Sequence, residues 1–120
     1  MYENKSYTEH FQKLGRKLKI LDKKSREIKA NKILAIINDH VIKNNKKLNE
    51  LECLDIGCSS GLVTSFISKN FKKTIGIDTD FNAIKLAKKF SNNKLKFIKA
   101  SALDMPFKDN TFDLVICNHI

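Results

Sequence analysis

The sequence lacks any run of 18 or more consecutive apolar residues, which excludes an ordinary membrane-spanning helix. Its first residues, Met1 to Lys5, also lack the apolar stretch of a secretory signal. The 120 residues are enough for one modest core, and a 42% hydrophobic content with charges of both signs argues against wholesale disorder. We therefore expect a soluble, cytoplasmic domain with no membrane partner.

Cysteine is scarce and odd in number, because Cys53, Cys58 and Cys117 are the only three. An odd count within or beside apolar segments is not the pattern of a disulfide framework. The spacing of Cys53 and Cys58 does not match the paired cysteines of zinc sites, and no histidine stands nearby. We predict reduced thiols in the cytosol and no metal site.

Arginine is nearly absent from a basic sequence: 21 of the 23 basic residues are lysine, and the net charge is +10. Residues 1–50 carry 13 basic and 6 acidic residues, so most of the excess lies in the N-terminal part. Specific contacts with phosphates and bases depend on bidentate arginine, whereas a lysine-rich patch gives only non-specific affinity. RNA is therefore an alternative partner that composition alone does not favour.

Residues 1–47 are predicted to form a basic helical N-terminal extension. A weak apolar pattern predicts a helix from Thr8 to Lys19, and Ser25 is the candidate N-cap of a second helix that ends near Asn44. Apolar residues recur at helical spacing in the second helix at Ile28, Ile33, Leu34, Ile37 and Val41. We expect this helix to cover a sheet face, and a lid over a ligand site is the alternative.

From residue 48 the pattern changes to alternating strands and helices, which defines a second region, residues 48–120. Strands are predicted at 51–56, 73–78, 95–98 and 112–117, with helices that begin at Leu62 and after an N-cap at Asp80. Strands joined through helices are typical of right-handed βαβ units and a parallel sheet. The third strand alternates lysine with apolar residues, which fits an edge strand. The predicted fold class is α/β.

The residues that follow the first two strands are candidates for a ligand site, because open parallel sheets bind ligands at the carboxyl ends of their strands. A turn with two glycines follows the first strand, in the segment Asp55-Ile56-Gly57-Cys58-Ser59-Ser60-Gly61. Asp78 ends the second strand, 21 residues beyond Gly57. A carboxylate at this place can accept hydrogen bonds from both hydroxyls of a ribose. The pattern therefore predicts a nucleoside site.

Two glycine patterns compete for this turn. A nicotinamide- or flavin-binding loop needs glycine at positions 57, 59 and 62, but the chain has Gly57, Ser59 and Leu62. The pattern Asp-x-Gly-x-Gly-x-Gly is met at Asp55, Gly57 and Gly61, with Ser59 as a small replacement for the middle glycine. In this segment the chain resembles the class I S-adenosylmethionine-dependent methyltransferases, in particular the group of type 11 methyltransferase domains.

Three further segments are similar to this family in order and spacing, so the resemblance covers about residues 50–120. They are Gly76-Ile77-Asp78-Thr79-Asp80, Ala100-Ser101-Ala102-Leu103-Asp104-Met105-Pro106-Phe107 and Phe112-Asp113-Leu114-Val115-Ile116-Cys117-Asn118. The resemblance implies a Rossmann-like three-layer αβα sandwich and S-adenosyl-L-methionine as cofactor. The family sheet normally has seven strands, of which this sequence supplies four. We therefore expect an incomplete domain that belongs to a longer enzyme.

The resemblance also implies roles for the residues around the glycine turn. Gly57, Ser59 and Gly61 would let the turn lie against the methionine end of the cofactor, and Asp78 would hold the ribose. Asp55 would order the turn or contact the amino group of the cofactor. Capping of the turn's backbone amides is the alternative role for Asp55.

The third and fourth strands contribute the remaining candidates. Ser101 and Ala102 fall where the family holds adenine, Ala102 through its backbone N–H. Many relatives have an acid at the position of Ser101, and Asp104 either substitutes for it or faces solvent. The resemblance also implies that Asn118 lies where the cofactor and the methyl acceptor meet, and His119 is a candidate base.

The leading functional hypothesis is methyl transfer to a small-molecule acceptor, with the catalytic residues unidentified. An RNA methyltransferase that uses the basic N-terminal region and a non-catalytic remnant of the fold are the alternatives. Cys58 and Cys117 would approach each other if the first and fourth strands are neighbours. We expect them to pack as small apolar side chains rather than to form a redox pair.

Overall fold

The computed structural model describes residues 5–117, which form one long helix followed by a four-stranded sheet. The helices are α1 (Lys5–Lys43), α2 (Leu62–Ser68) and α3 (Phe81–Ala87), and the strands are β1 (Glu52–Ile56), β2 (Lys73–Asp78), β3 (Leu95–Lys99) and β4 (Leu114–Cys117). All strands are parallel, in the order β3-β2-β1-β4. The predicted α/β class, the four strands and the edge position of β3 are confirmed.

The N-terminal part forms one helix, so the prediction of two helices with an N-cap at Ser25 is wrong. The segment between the two predicted helices contains no glycine or proline that would end a helix. Arg26 forms an ion pair with Asp22 one turn earlier, at 3.5 Å, and this pair spans the predicted boundary. Ser25 therefore lies inside α1.

All three helices lie on one face of the sheet. Ala30 and Val41 of α1 share a buried cluster with Ile67 of α2, Cys53 of β1 and Ile116 of β4. The buried side chains of α3 pack with Leu95 and Phe97 of β3. Residues paired across parallel strands point to the same face, and the register pairs Cys53 with Thr74 and Thr74 with Leu95. The predicted packing of the N-terminal helix on the sheet is confirmed.

The opposite face of the sheet is covered only in part within residues 5–117. Leu54, Ile75 and Ile77 form a buried cluster there, against which Phe107 and Phe112 from the segment between β3 and β4 pack. Val115 of β4 is 52% exposed on this face. Across the described part of the chain, no helix is both long and apolar enough to cross a lipid bilayer.

Candidate functional site

The turn after β1 has a strained backbone that is tied to the neighbouring strand. Gly57, Ser59 and Gly61 all have positive φ angles, of 78°, 52° and 84°. The N–H groups of Gly57 and Cys58 donate to the carbonyl oxygen of Ile77, at 2.9 and 3.0 Å. A positive φ explains why glycine suits these positions, and a serine at position 59 costs about 1–2 kcal/mol of conformational energy.

Gly61 is also required by close packing. A Cβ atom at Gly61 would lie 2.8 Å from the Cβ of Ala87 and 2.8 Å from Cζ of Phe97. Gly61 is buried, and its position brings the start of α2 against α3 and β3. The structure therefore gives Gly61 a packing role beneath the turn, while Gly57 lies at the surface of the site.

Asp78 lies at the rim of the sheet, where β2 ends. One of its oxygens, Oδ2, accepts from the backbone N–H of Ser59 at 2.9 Å, and Oδ1 accepts from the N–H of Asp80 at 2.8 Å. The bond from Ser59 fixes the turn to β2 and thereby offsets the conformational energy that the positive φ of Ser59 costs. Each carboxylate oxygen can accept a further hydrogen bond, so Asp78 still has the capacity to bind hydroxyl groups.

Asp55 is buried below the turn and lines neither of the two cavities found at the strand ends. Its Oδ2 accepts from the hydroxyl of Thr64 in α2, at 2.6 Å. Burial raises the pKa of Asp55 from 3.8 to about 6, against the lowering effects of the Thr64 hydrogen bond and of the positive charge of Lys29. The Thr64 bond joins β1 to α2 on the two sides of the turn.

Of the two residues predicted to hold adenine in the segment after β3, Ala102 rather than Ser101 lines the site. Ala102 lines a cavity, whereas Oγ of Ser101 accepts from the N–H of Leu103 within its own turn, at 3.1 Å. The N–H of Asp104 donates to the carbonyl oxygen of Ser101 at 3.2 Å, and the Asp104 side chain is exposed. Of the two predicted roles for Asp104, the exposed side chain agrees with the solvent-facing one.

Two cavities meet at the carboxyl ends of β1 and β2. The smaller, of about 190 Å³, is mostly apolar and is lined by Ile56, Gly57, Ile77, Asp78, Thr79, Ala100 and Ala102. The larger, of about 530 Å³, is lined by Gly57, Ser59 and Asp78 and by residues of α1. Both cavities share Gly57 and Asp78. An apolar slot beside a carboxylate, next to a polar space with which it shares two lining residues, suits a nucleoside that carries a charged substituent.

The cysteines give this site no reactive pair. Cys58 lines the larger cavity, but it packs with the side chains of α3 and β3, and burial raises the pKa of its thiol to about 12. Cys117 pairs with Ile56 on the opposite face of the sheet, and all three thiols are free. Cys117 is exposed, so the prediction that it packs as a small apolar side chain is wrong. Residues 5–117 contain no group of three or more potential metal ligands. Asn118 and His119 lie outside the described residues.

A lid over a ligand site was the alternative role predicted for the N-terminal helix, but sequence reasoning did not identify the residues of α1 that line the larger cavity. Ser25, Arg26 and Lys29 line it together with the glycine turn. Arg26 is one of only two arginines in the chain, and this scarcity was the one available signal. Thr64, the hydrogen-bond donor to Asp55, was also missed because it lies in an apolar helical run.

Comparison with known proteins gives one family. The family model described as a methyltransferase domain matches residues 54–120. The crystal structure of YcgJ from Bacillus subtilis is 28% identical, covers 63% of this chain and 34% of its own, and superposes with a TM-score of 0.56. A SAM-dependent methyltransferase from Methanosarcina mazei is 31% identical, covers 62% of this chain and 39% of its own, and has a TM-score of 0.51.

A curated relative has a more specific name. Sterol 4-C-methyltransferase of Caenorhabditis elegans is 30% identical over 91 residues, which are 72% of this chain and 27% of the relative. The chain spans between 27% and 33% of the length of four curated relatives that it matches. The similar structures carry the Rossmann-like sheet that the sequence predicts.

Proposed function

The chain belongs to the methyltransferase-domain family, and on this premise we propose that it binds S-adenosylmethionine and serves methyl transfer to a small-molecule acceptor. When bound, S-adenosylmethionine supplies an electrophilic methyl group on its sulfonium. The protein's part in such a reaction is largely to position the cofactor and the acceptor in line. The proposal therefore depends on which parts of the cofactor the residues of this chain can bind.

The junction of the two cavities at Gly57 and Asp78 carries the proposal. The cofactor has an apolar, flat base, a ribose with two hydroxyls and a zwitterionic amino-acid end. The smaller cavity offers apolar walls for the base, and Asp78 offers acceptors for the ribose at the junction. The larger cavity offers polar and charged groups for the amino-acid end. The residues present thus fit the cofactor.

We assign the residues as follows within this proposal. Gly57 and Ser59 lie against the methionine end, Gly61 holds the turn from below, and Asp55 orders the turn through Thr64. Asp78 accepts from the ribose hydroxyls. Adenine lies at the backbone of the segment that contains Ser101 and Ala102. Asn118, which lies outside the described residues, stays the residue predicted to be where the cofactor and the methyl acceptor meet.

A small-molecule acceptor is supported by the sterol methyltransferase among the relatives. RNA would instead have to use the exposed lysines of α1, such as Lys23, Lys24 and Lys32. Lysines of this kind give salt-sensitive, non-specific affinity, which by itself does not favour RNA as the acceptor. Observed methyl transfer to RNA would be needed to support that alternative. The division into an extension, residues 1–47, and a cofactor domain, residues 48–120, stays a prediction, as does a cytoplasmic location.

Thermal unfolding of the 120-residue chain with and without ligand tests the cofactor assignment. S-adenosylmethionine and S-adenosylhomocysteine should each stabilise the fold, by about 2.7 kcal/mol at a concentration 100 times the dissociation constant. NAD is the matched control, because it also carries an adenosine but needs the glycine pattern that Ser59 and Leu62 break. Cooperative unfolding without a shift for either sulfur compound would contradict the proposal and favour a remnant that no longer binds.

A further inference from the structure

Part of the basic charge of α1 lies at the candidate site rather than on the outer surface. Ser25, Arg26 and Lys29 line the larger cavity opposite Gly57 and Ser59. Arg26 and Lys29 are half-buried, whereas the neighbouring Lys24 is exposed. Two cations therefore face a space whose other charged wall is the carboxylate of Asp78.

These two cations differ in whether they already form an ion pair. Arg26 is paired with Asp22 at 3.5 Å. Lys29 forms no ion pair within 4.0 Å among the described residues, where the only pairs are Arg26 with Asp22 and Lys43 with Asp39. Its charge nevertheless acts on Asp55, whose pKa it lowers against the effect of burial. Lys29 is thus a half-buried lysine with hydrogen-bond donors to spare at the cavity wall.

We infer that Lys29, with Arg26 beside it, binds the carboxylate of the amino-acid end of the cofactor. This inference rests on the proposed function and assigns a further binding residue within it. If the base occupies the smaller cavity and the ribose lies at Asp78, the amino-acid end must enter the larger one. Its carboxylate is repelled by Asp78 and attracted by the two cations of that cavity, so Lys29 is its natural partner.

The assignment is tested by comparing two ligands that differ in this end alone. S-adenosylhomocysteine carries the carboxylate, whereas 5′-methylthioadenosine lacks the whole amino-acid portion. Lys29→Met should weaken S-adenosylhomocysteine binding about tenfold, since charge-assisted hydrogen bonds are among the stronger ones. Binding of 5′-methylthioadenosine should change by less than about twofold. Isothermal titration calorimetry on the 120-residue chain gives both constants.

Two further variants keep the result interpretable. Lys24→Met removes the same charge from α1 at a position about 140° away around the helix, and it should leave both constants unchanged. Lys29→Arg keeps the charge and should retain the preference for S-adenosylhomocysteine. Circular dichroism of each variant checks that the fold is intact.

The outcomes separate this inference from the proposed function. If the wild-type chain binds both ligands and Lys29→Met weakens both equally or neither, Lys29 does not bind the carboxylate and the inference is overturned. If the wild-type chain binds neither ligand, the proposed function fails and the inference falls with it. Selective loss of S-adenosylhomocysteine binding in Lys29→Met alone supports the assignment.

Discussion

The two aspartates near the carboxyl ends of the first two strands have opposite environments. Asp55 is 6% exposed and bonded to Thr64, whereas Asp78 lines both cavities and holds the backbone of the glycine turn. Both belong to segments that resemble motifs of one family, and both were predicted to serve the cofactor. Only one of them lies where a ligand can reach it.

Depth along the strand explains the difference. The register pairs Asp55 with Gly76, so Asp55 lies two residues short of the level that Asp78 occupies. The glycine turn and α2 then close over Asp55, while Asp78 remains at the open end of the sheet. An aspartate that is buried below the strand end, like Asp55, thus supports the turn. An aspartate at the open end of the sheet, like Asp78, can bind a ligand.

The largest expected effect concerns the pH dependence of Asp55. Its pKa in the folded chain is about 6 against an ordinary 3.8, so between these values the folded state binds a proton that the unfolded state has released. The free energy of unfolding should therefore fall as the pH rises through this interval, by up to about 3 kcal/mol at this group. Urea denaturation of wild type and Asp55→Asn at pH 4, 5, 6 and 7 measures this change in the free energy of unfolding.

Asp55→Asn should become more stable relative to wild type as the pH rises, because the variant has no charge to bury. The control is Asp109→Asn, which changes an exposed aspartate and should follow the wild type across the series. A constant difference between Asp55→Asn and wild type from pH 4 to pH 7 would show that Asp55 is not buried as an acid.

The second prediction concerns Asp78 and ligand affinity. Asp78→Ala removes the acceptors at the junction of the cavities and should weaken S-adenosylmethionine binding by about 1–3 kcal/mol, or roughly 5- to 150-fold. Some stability should be lost as well, because the N–H groups of Ser59 and Asp80 lose their partner. Calorimetric titration of the folded variant gives the constant, and an unchanged value would exclude Asp78 from the ligand site.

The smallest effect is expected at Asp80, the acid two residues further on. Its Oδ1 accepts from the N–H groups of Asn82 and Ala83, at 2.9 and 3.2 Å, so it is the N-cap of α3 that the sequence predicts. Asp80→Ala should lower the free energy of unfolding by about 1 kcal/mol and change the dissociation constant by less than about twofold. A large loss of affinity without a loss of stability would reverse the roles assigned to Asp78 and Asp80.

Local signals were enough to predict most of the sheet. β1, β2 and β4 contain apolar runs, Asp80 caps α3, and the lysines of β3 mark an edge strand. The N-terminal helix was divided wrongly because the polar segment before Ser25 resembles a break. That segment contains no glycine or proline, and the pair Asp22–Arg26 supports the continuation of the helix through it.

The site was predictable only where the motif is contiguous in sequence. Gly57, Ser59 and Asp78 lie together because β1 and β2 are paired, which the βαβ pattern implies. The approach of Lys29 depends on how α1 packs against α2, and nothing within α1 itself encodes that distance. The burial of Asp55 likewise depends on the closure of the turn over the strand end.

The most direct test of the account is a titration of the ¹⁵N-labelled chain with S-adenosylhomocysteine, followed by amide NMR. If the ligand lies across the two cavities, the largest shifts should occur at the amides of Gly57, Ser59, Asp78 and Ala102. The N–H of Thr64, beside buried Asp55, should shift less than these four. Saturable shifts confined to other parts of the chain would contradict the site at the strand ends.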